Sequence, residues 1–162
     1  MSEEQLVGDE PLTQGWATVE SSLATVEIPD FWEGLPSEDD RVLTVAERTG
    51  RKSTFRANIV VVVRPSTETV EQLGARSVAE ALALPGWSHV VADKEWLYPG
   101  LTGRYVKFLY EASGVCVEVT RRALVTGTQV MEVTASCDVM DTLQFEAAFS
   151  RISRTAQLKG IA

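Results

Sequence analysis

Two cysteines, a tandem arginine, one histidine and a short acidic run are the side chains of this 162-residue chain with the most obvious chemical use. Cys116 and Cys137 bound the stretch "CVEVTRRALVTGTQVMEVTASC". Two thiols so placed are a disulfide, a nucleophile, half of a metal clip or plain strand residues. A zinc site needs about four ligands, and the only histidine, His89, stands at no recognisable metal spacing from them. A Cys–His nucleophile pair would have to use the same His89, in "GWSHVVADKEW", with none of the local signatures of cysteine hydrolases around it. The run Glu38-Asp39-Asp40 carries enough charge for a hard cation, yet it lacks EF-hand spacing, ends in Arg41 and reads as a solvated loop. A Gly-rich phosphate loop, a G-x-S-x-G elbow and a His-Glu-x-x-His motif are all missing. No catalytic residue, cofactor or metal is expected, and the reading is of a non-enzyme.

The disulfide question turns on the strands that carry the thiols. Side chains alternate along a strand, so Val115, Val117 and Val119 share one face of the first strand, with Cys116 on the other. Met131, Val133, Ala135 and Cys137 share a face of the second. If both apolar sets meet one core, Cys137 points inward and Cys116 outward, and the thiols cannot reach the Cβ separation of about 3.8 Å that a disulfide needs. Arg121 and Arg122 then straddle the two faces and read as edge or rim charges. On that register the stretch is scaffold.

Flanking patterns supply the rest of the frame. "WATVESSLATVEIP" suggests one or two short strands, "RVLTVAER" another, and "FRANIVVVVR" the clearest strand, apolar on both faces from Ile59 to Val63 and so requiring cover on both sides. Val70, Leu73, Ser77, Val78, Ala81 and Leu82 fall on one helical face, with Ser66 or Thr67 as N-cap and Pro85-Gly86 as the stop. Four strand-like stretches follow, 87–96, 101–111, 115–125 and 129–136. Turns at Gly100, Gly114 and Gly127 separate them, as in an antiparallel meander. The last helix spans 141–156, with an Asp141/Gln144 capping box and a buried stripe of Phe145, Phe149 and Ile152. The fold class is α+β: a single-domain α/β/α-type sandwich with a mainly antiparallel sheet of six to eight strands and two principal helices. Residues 1–14 read as a flexible acidic tail and 15–158 as the domain.

Charge and aromatics bear on partners. Through Arg48 there are twelve acids against two bases, and the remainder has eleven against thirteen. So acidic a first third repels phosphate backbones, and no nucleic acid is expected. It also suits a basic partner. Trp16 and Trp32 flank the first strands, and Trp87 and Trp96 bracket the strand after the first helix. Aromatic residues are favoured at interfaces, so the partner-binding candidates are Trp32, Glu38, Asp39, Asp40, Trp87 and Trp96. No run of about 18 apolar residues appears, so no membrane span is expected. The N-terminus shows no signal-peptide pattern, and a cytoplasmic location is expected.

The order of "VEIPDFW", "ANIVVVVRPS", "VEQLGARSVAEALALPGW", the long meander and "FEAAFSRISRTAQL" resembles the MOG/PsbP-like superfamily, and within it the actinobacterial LpqN-type branch, with its proline-Asp-aromatic start and a Cys before the last helix. The resemblance covers roughly residues 16 to 158. It implies an antiparallel sheet between helical layers and a non-enzymatic protein-binding module: an adaptor, assembly factor or chaperone for a secretion or membrane partner. The alternative is a small apolar-ligand carrier with a pocket between sheet and helix. Oligomeric state stays open.

Overall fold

A computed structural model describes residues 15–48 and 55–159; the expected tail at 1–14 and the turn around 49–53 lie outside the described residues. Ten strands and two α-helices follow one another: β1 Trp16–Glu20, β2 Ala24–Pro29, β3 Trp32–Leu35, β4 Val42–Glu47, β5 Asn58–Pro65, α1 Val70–Leu82, β6 Ser88–Tyr98, β7 Leu101–Ala112, β8 Val115–Val125, β9 Gln129–Asp138, a 3-10 turn Val139–Asp141, α2 Thr142–Thr155 and β10 Gln157–Leu158. Seven strands form one antiparallel sheet in the order β3-β4-β5-β9-β8-β7-β6, and β1-β2-β10 form a second, smaller one. The main sheet lies within the expected six to eight strands. The short sheet is an addition, because β10 is a two-residue strand with no pattern of its own to betray it.

Each face of the main sheet has its own cover. On one, α1 crosses β6, β7 and β8 and buries Leu73, Gly74, Ser77 and Ala81. The stripe is mostly small, which lets the helix lie close. A Cβ on Gly74 would come within 2.7 Å of Arg104 Nε. On the other face, α2 and β2 pack over β3, β4, β5 and β9 around the main core, which includes Val26, Ile59, Val61, Val133, Phe145, Phe149 and Ile152. Burying each of the larger side chains contributes about 1.5–3 kcal/mol. Trp32 belongs here. It is 1% exposed and meets Phe145 and Phe149 edge-on at ring distances of 6.2 and 6.0 Å. β5 is covered as expected on this side, whereas Val60 and Val62 on its other side are only half-buried.

Several local expectations need correction. The cap of α1 is Thr69, in a full capping box with Gln72. Ser66 is diverted: its N–H donates to Thr128 O and its hydroxyl accepts from Glu68 N–H, so 66–68 stay tied to the sheet and the helix starts later. Leu82, expected inside, is 63% exposed, because the last turn of α1 turns Ala81 to the sheet and leaves its neighbour facing out. Asp141 stands at the N-cap of α2 but makes no side-chain capping hydrogen bond; Asp138 instead caps the preceding 3-10 turn by accepting from Met140 N–H.

The largest correction concerns the cysteine hairpin. Glu118 pairs with Cys137 and Arg122 with Val133. Cys116, Glu118, Arg122 and Leu124 therefore share the α2 face with Met131, Val133, Ala135 and Cys137. Val117 and Val119 turn the other way, into the core under α1. Both thiols sit on one face, and both are free. They stand diagonally, a separation of about 7–8 Å that no disulfide spans. The cysteines are unbonded, as expected, but for a different reason. Nor are the arginines edge charges, since β8 lies inside the sheet between β9 and β7.

Candidate functional site

The sequence candidates do not converge. Residues 38–40 lie between β3 and β4 at one edge of the main sheet, and β6 forms the other edge, six strand steps or roughly 29 Å from β3. Glu38 and Asp40 are exposed. Asp39 is already held by Arg41, Nε to Oδ1 at 3.0 Å and Nη2 to Oδ2 at 2.8 Å, and that guanidinium lowers its carboxyl to about 2. Trp32 borders a shallow groove of about 420 Å³ beside β1 and β2, but, packed on α2, it offers a partner almost no contact area. Trp87 is half exposed and stacks on His89 at 6.3 Å. Trp96, nine residues further along the chain, is partly buried against the main core.

Trp96 leads to a better site. Its strand partner is Gly103, and the indole occupies the room that glycine leaves. A Cβ there would lie 3.0 Å from the Trp96 ring and 2.8 Å from the Ala123 carbonyl oxygen. Tyr105 and Arg122 are strand partners on the same face. The Arg122 guanidinium lies 5.9 Å from the Trp96 ring centre and 5.2 Å from that of Tyr105, both within cation–π range. Its Nη1 donates to the buried Ser153 Oγ of α2 at 3.1 Å. Burial pushes its pKa down, and Arg154 pushes the same way, but a guanidinium keeps its charge.

This cradle lies at the floor of a groove of about 450 Å³ between α2 and strands β7 and β8. Lys107 and Glu118 form its flank as a 3.1 Å ion pair. Leu143, 89% exposed, stands at the N-terminal lip of α2, with Glu146 and Ala147 a turn further on. The groove forms because α2 packs on β9 and β2 and leaves the same face of β7 and β8 open beside it. Of the six sequence candidates, only Trp96 contributes to this neighbourhood. Arg122, a rim charge on the sequence reading, is its centre. The readable signal is an arginine pair in the middle of an 11-residue apolar strand, where a charge has to be accounted for.

Among the described residues, no group of three or more His, Cys, Asp or Glu could hold a metal. No helix of the described residues is long and apolar enough to cross a membrane.

No family model matches the sequence, and no curated protein matches it. Solved structures do. The structure of LpqN, involved in cell envelope biogenesis of Mycobacterium tuberculosis, is 15% identical with a TM-score of 0.67, covering 88% of this chain and 90% of its own. The solution structure of cyanobacterial PsbP from Synechocystis sp. PCC 6803 is 11% identical with a TM-score of 0.66, covering 94% of this chain and 98% of its own. PA94 of Pseudomonas aeruginosa, a protein of unknown function and putative regulator, is 16% identical with a TM-score of 0.61, covering 87% and 95%. The chain has the MOG/PsbP-like fold that LpqN and PsbP share.

Proposed function

We propose that this chain is a non-enzymatic protein-binding module and that a segment of its partner lies in the groove between α2 and strands β7 and β8. The observation that carries the reading is the groove's make-up: an open trough with an exposed apolar lip at Leu143 and a charged, aromatic-flanked floor. Such a surface combines an apolar anchor with polar groups that fix orientation. Its ionisable groups do not form a nucleophile–base pair. Lys107 and Glu118 are committed to each other, and no histidine or cysteine lines it.

An apolar-ligand carrier fits this groove poorly, since seven of its ten lining residues are polar or charged. Adaptor, assembly-factor and chaperone roles all remain within the reading. A photo-crosslinking amino acid placed at Leu143 or at Ala147 tests it in cells. One discrete protein adduct shared by both positions, and missing from the exposed Ala79 on α1, is the expected result. Equal adducts from all three positions, or none from the groove, would overturn it.

A further inference from the structure

We infer that Arg122 is the anchor for a carboxylate of the bound segment, so that the groove selects an acidic side chain set between apolar ones. The inference rests on the binding-module reading. Arg122 has five N–H donors, of which one goes to Ser153. Among the described residues no carboxylate lies within ion-pair distance of it. Arg64, Arg76, Arg104 and Arg121, by contrast, each hold one at 2.5–3.0 Å. The contrast with Arg121 is sharp, because that neighbour turns to the α1 face and pairs with Glu80. A partly buried cation without a counter-ion is retained at a cost that an incoming anion removes.

The geometry favours one negative charge over two. Trp96 and Tyr105 hold the guanidinium, and a fork so fixed presents its remaining donors to a planar, bidentate acceptor. Glu118 and Glu146 also face the groove. Glu118 is balanced by Lys107, but the pair of carboxylates would repel a doubly charged phosphate more than a carboxylate. The opening turn of α2, from Thr142 and Leu143, adds the positive end of a helix to the same wall. Apolar neighbours of the acidic residue would rest on Leu143, Ala147 and Phe149.

The test titrates the full chain with an end-blocked nine-residue peptide carrying one central glutamate flanked by leucines, with its glutamine counterpart, and with dodecanoate. Affinity is measured by calorimetry, and the Arg122 Nε–Hε signal by NMR. The glutamate peptide should bind about tenfold more tightly than the glutamine peptide and should move the Arg122 signal. Arg122→Gln should erase the preference, and Arg122→Lys should keep only part of it; circular dichroism checks that each variant folds. The comparison of the two peptides on the unaltered chain needs no variant. Equal affinity for both peptides, or a preference that survives Arg122→Gln, would overturn the anchor. So would an Arg122 response to dodecanoate alone, which would assign the site to a lipid carboxylate. If crosslinks at Leu143 persist while the glutamate peptide leaves Arg122 unmoved, the anchor fails and the binding module stands.

Discussion

Replacing Trp32 tests whether this residue holds the two layers together or serves a surface. Its indole is 1% exposed and edge-on to two α2 rings, so it ties β3 to α2 across the main core. Trp32→Ala removes the transfer energy of the side chain and leaves a cavity, for a loss of about 3–5 kcal/mol. Against a domain stability of about 5–15 kcal/mol, that is a large fraction. Trp32→Phe separates shape from polarity. The indole Nε1 is buried with no acceptor among the described residues, and a buried N–H left unmade costs about 1–3 kcal/mol. Phenylalanine loses volume but also removes that penalty, so its net cost should be less than half that of alanine. Urea unfolding followed by far-UV circular dichroism measures both, with m-values compared to check that the transition keeps its two-state form. If Trp32→Ala lost less than about 1 kcal/mol, within reach of an ordinary surface substitution, the core placement would be refuted.

Two further predictions concern titration. Burial raises the Cys137 thiol to about 11. A folded value above the unfolded one means a contribution present below the unfolded pKa and lost as pH rises through about 11. At pH 8 a thiol reagent should therefore label Cys137 only as fast as the protein opens, and reductant should leave the melting temperature unchanged. A fall in Tm on reduction would reveal a bond between the cysteines. Asp39 runs the other way. Its folded value near 2 lies below the ordinary 3.8, so its stabilisation is present above the unfolded value and disappears as pH falls through 2. Carboxyl carbon NMR should find that midpoint, Arg41→Gln should return it toward 3.8, and an unmoved midpoint would reject the ion pair as the cause.

How much the sequence conveys depends on how local the deciding physics is. The period-3.6 stripe of Phe145, Phe149 and Ile152, the meander of β6 to β9 and the glycine turns between its strands are set by neighbours a few residues away. All are legible in the residue pattern itself. The cap of α1 falls two or three residues beyond the expected one because Ser66 is claimed by Glu68 and by a carbonyl of the β8–β9 turn, about sixty residues on. The site is mostly illegible. Trp96 stands out as an aromatic, but its worth lies in the Arg122 beneath it, and that contact joins β6 to β8 through the space left by Gly103.

The face assignment of the cysteine hairpin shows the boundary most clearly. Alternation in β8 and β9 places Val115, Val117 and Val119 on one side of their strand and Cys137 with Met131 on one side of theirs. It cannot say whether those sides are the same. In a sheet with one wet face they would be, because only one face is apolar. Here α1 covers one face and α2 with the small sheet the other, so each apolar set has a core available and the register alone chooses between them. That choice turns Arg122 from a rim charge into the floor of a groove. Spacing along the chain is enough to set where the strands and helices run. Which side chains meet is settled only when the layers pack, because a pattern of period two is satisfied by either face when both are buried.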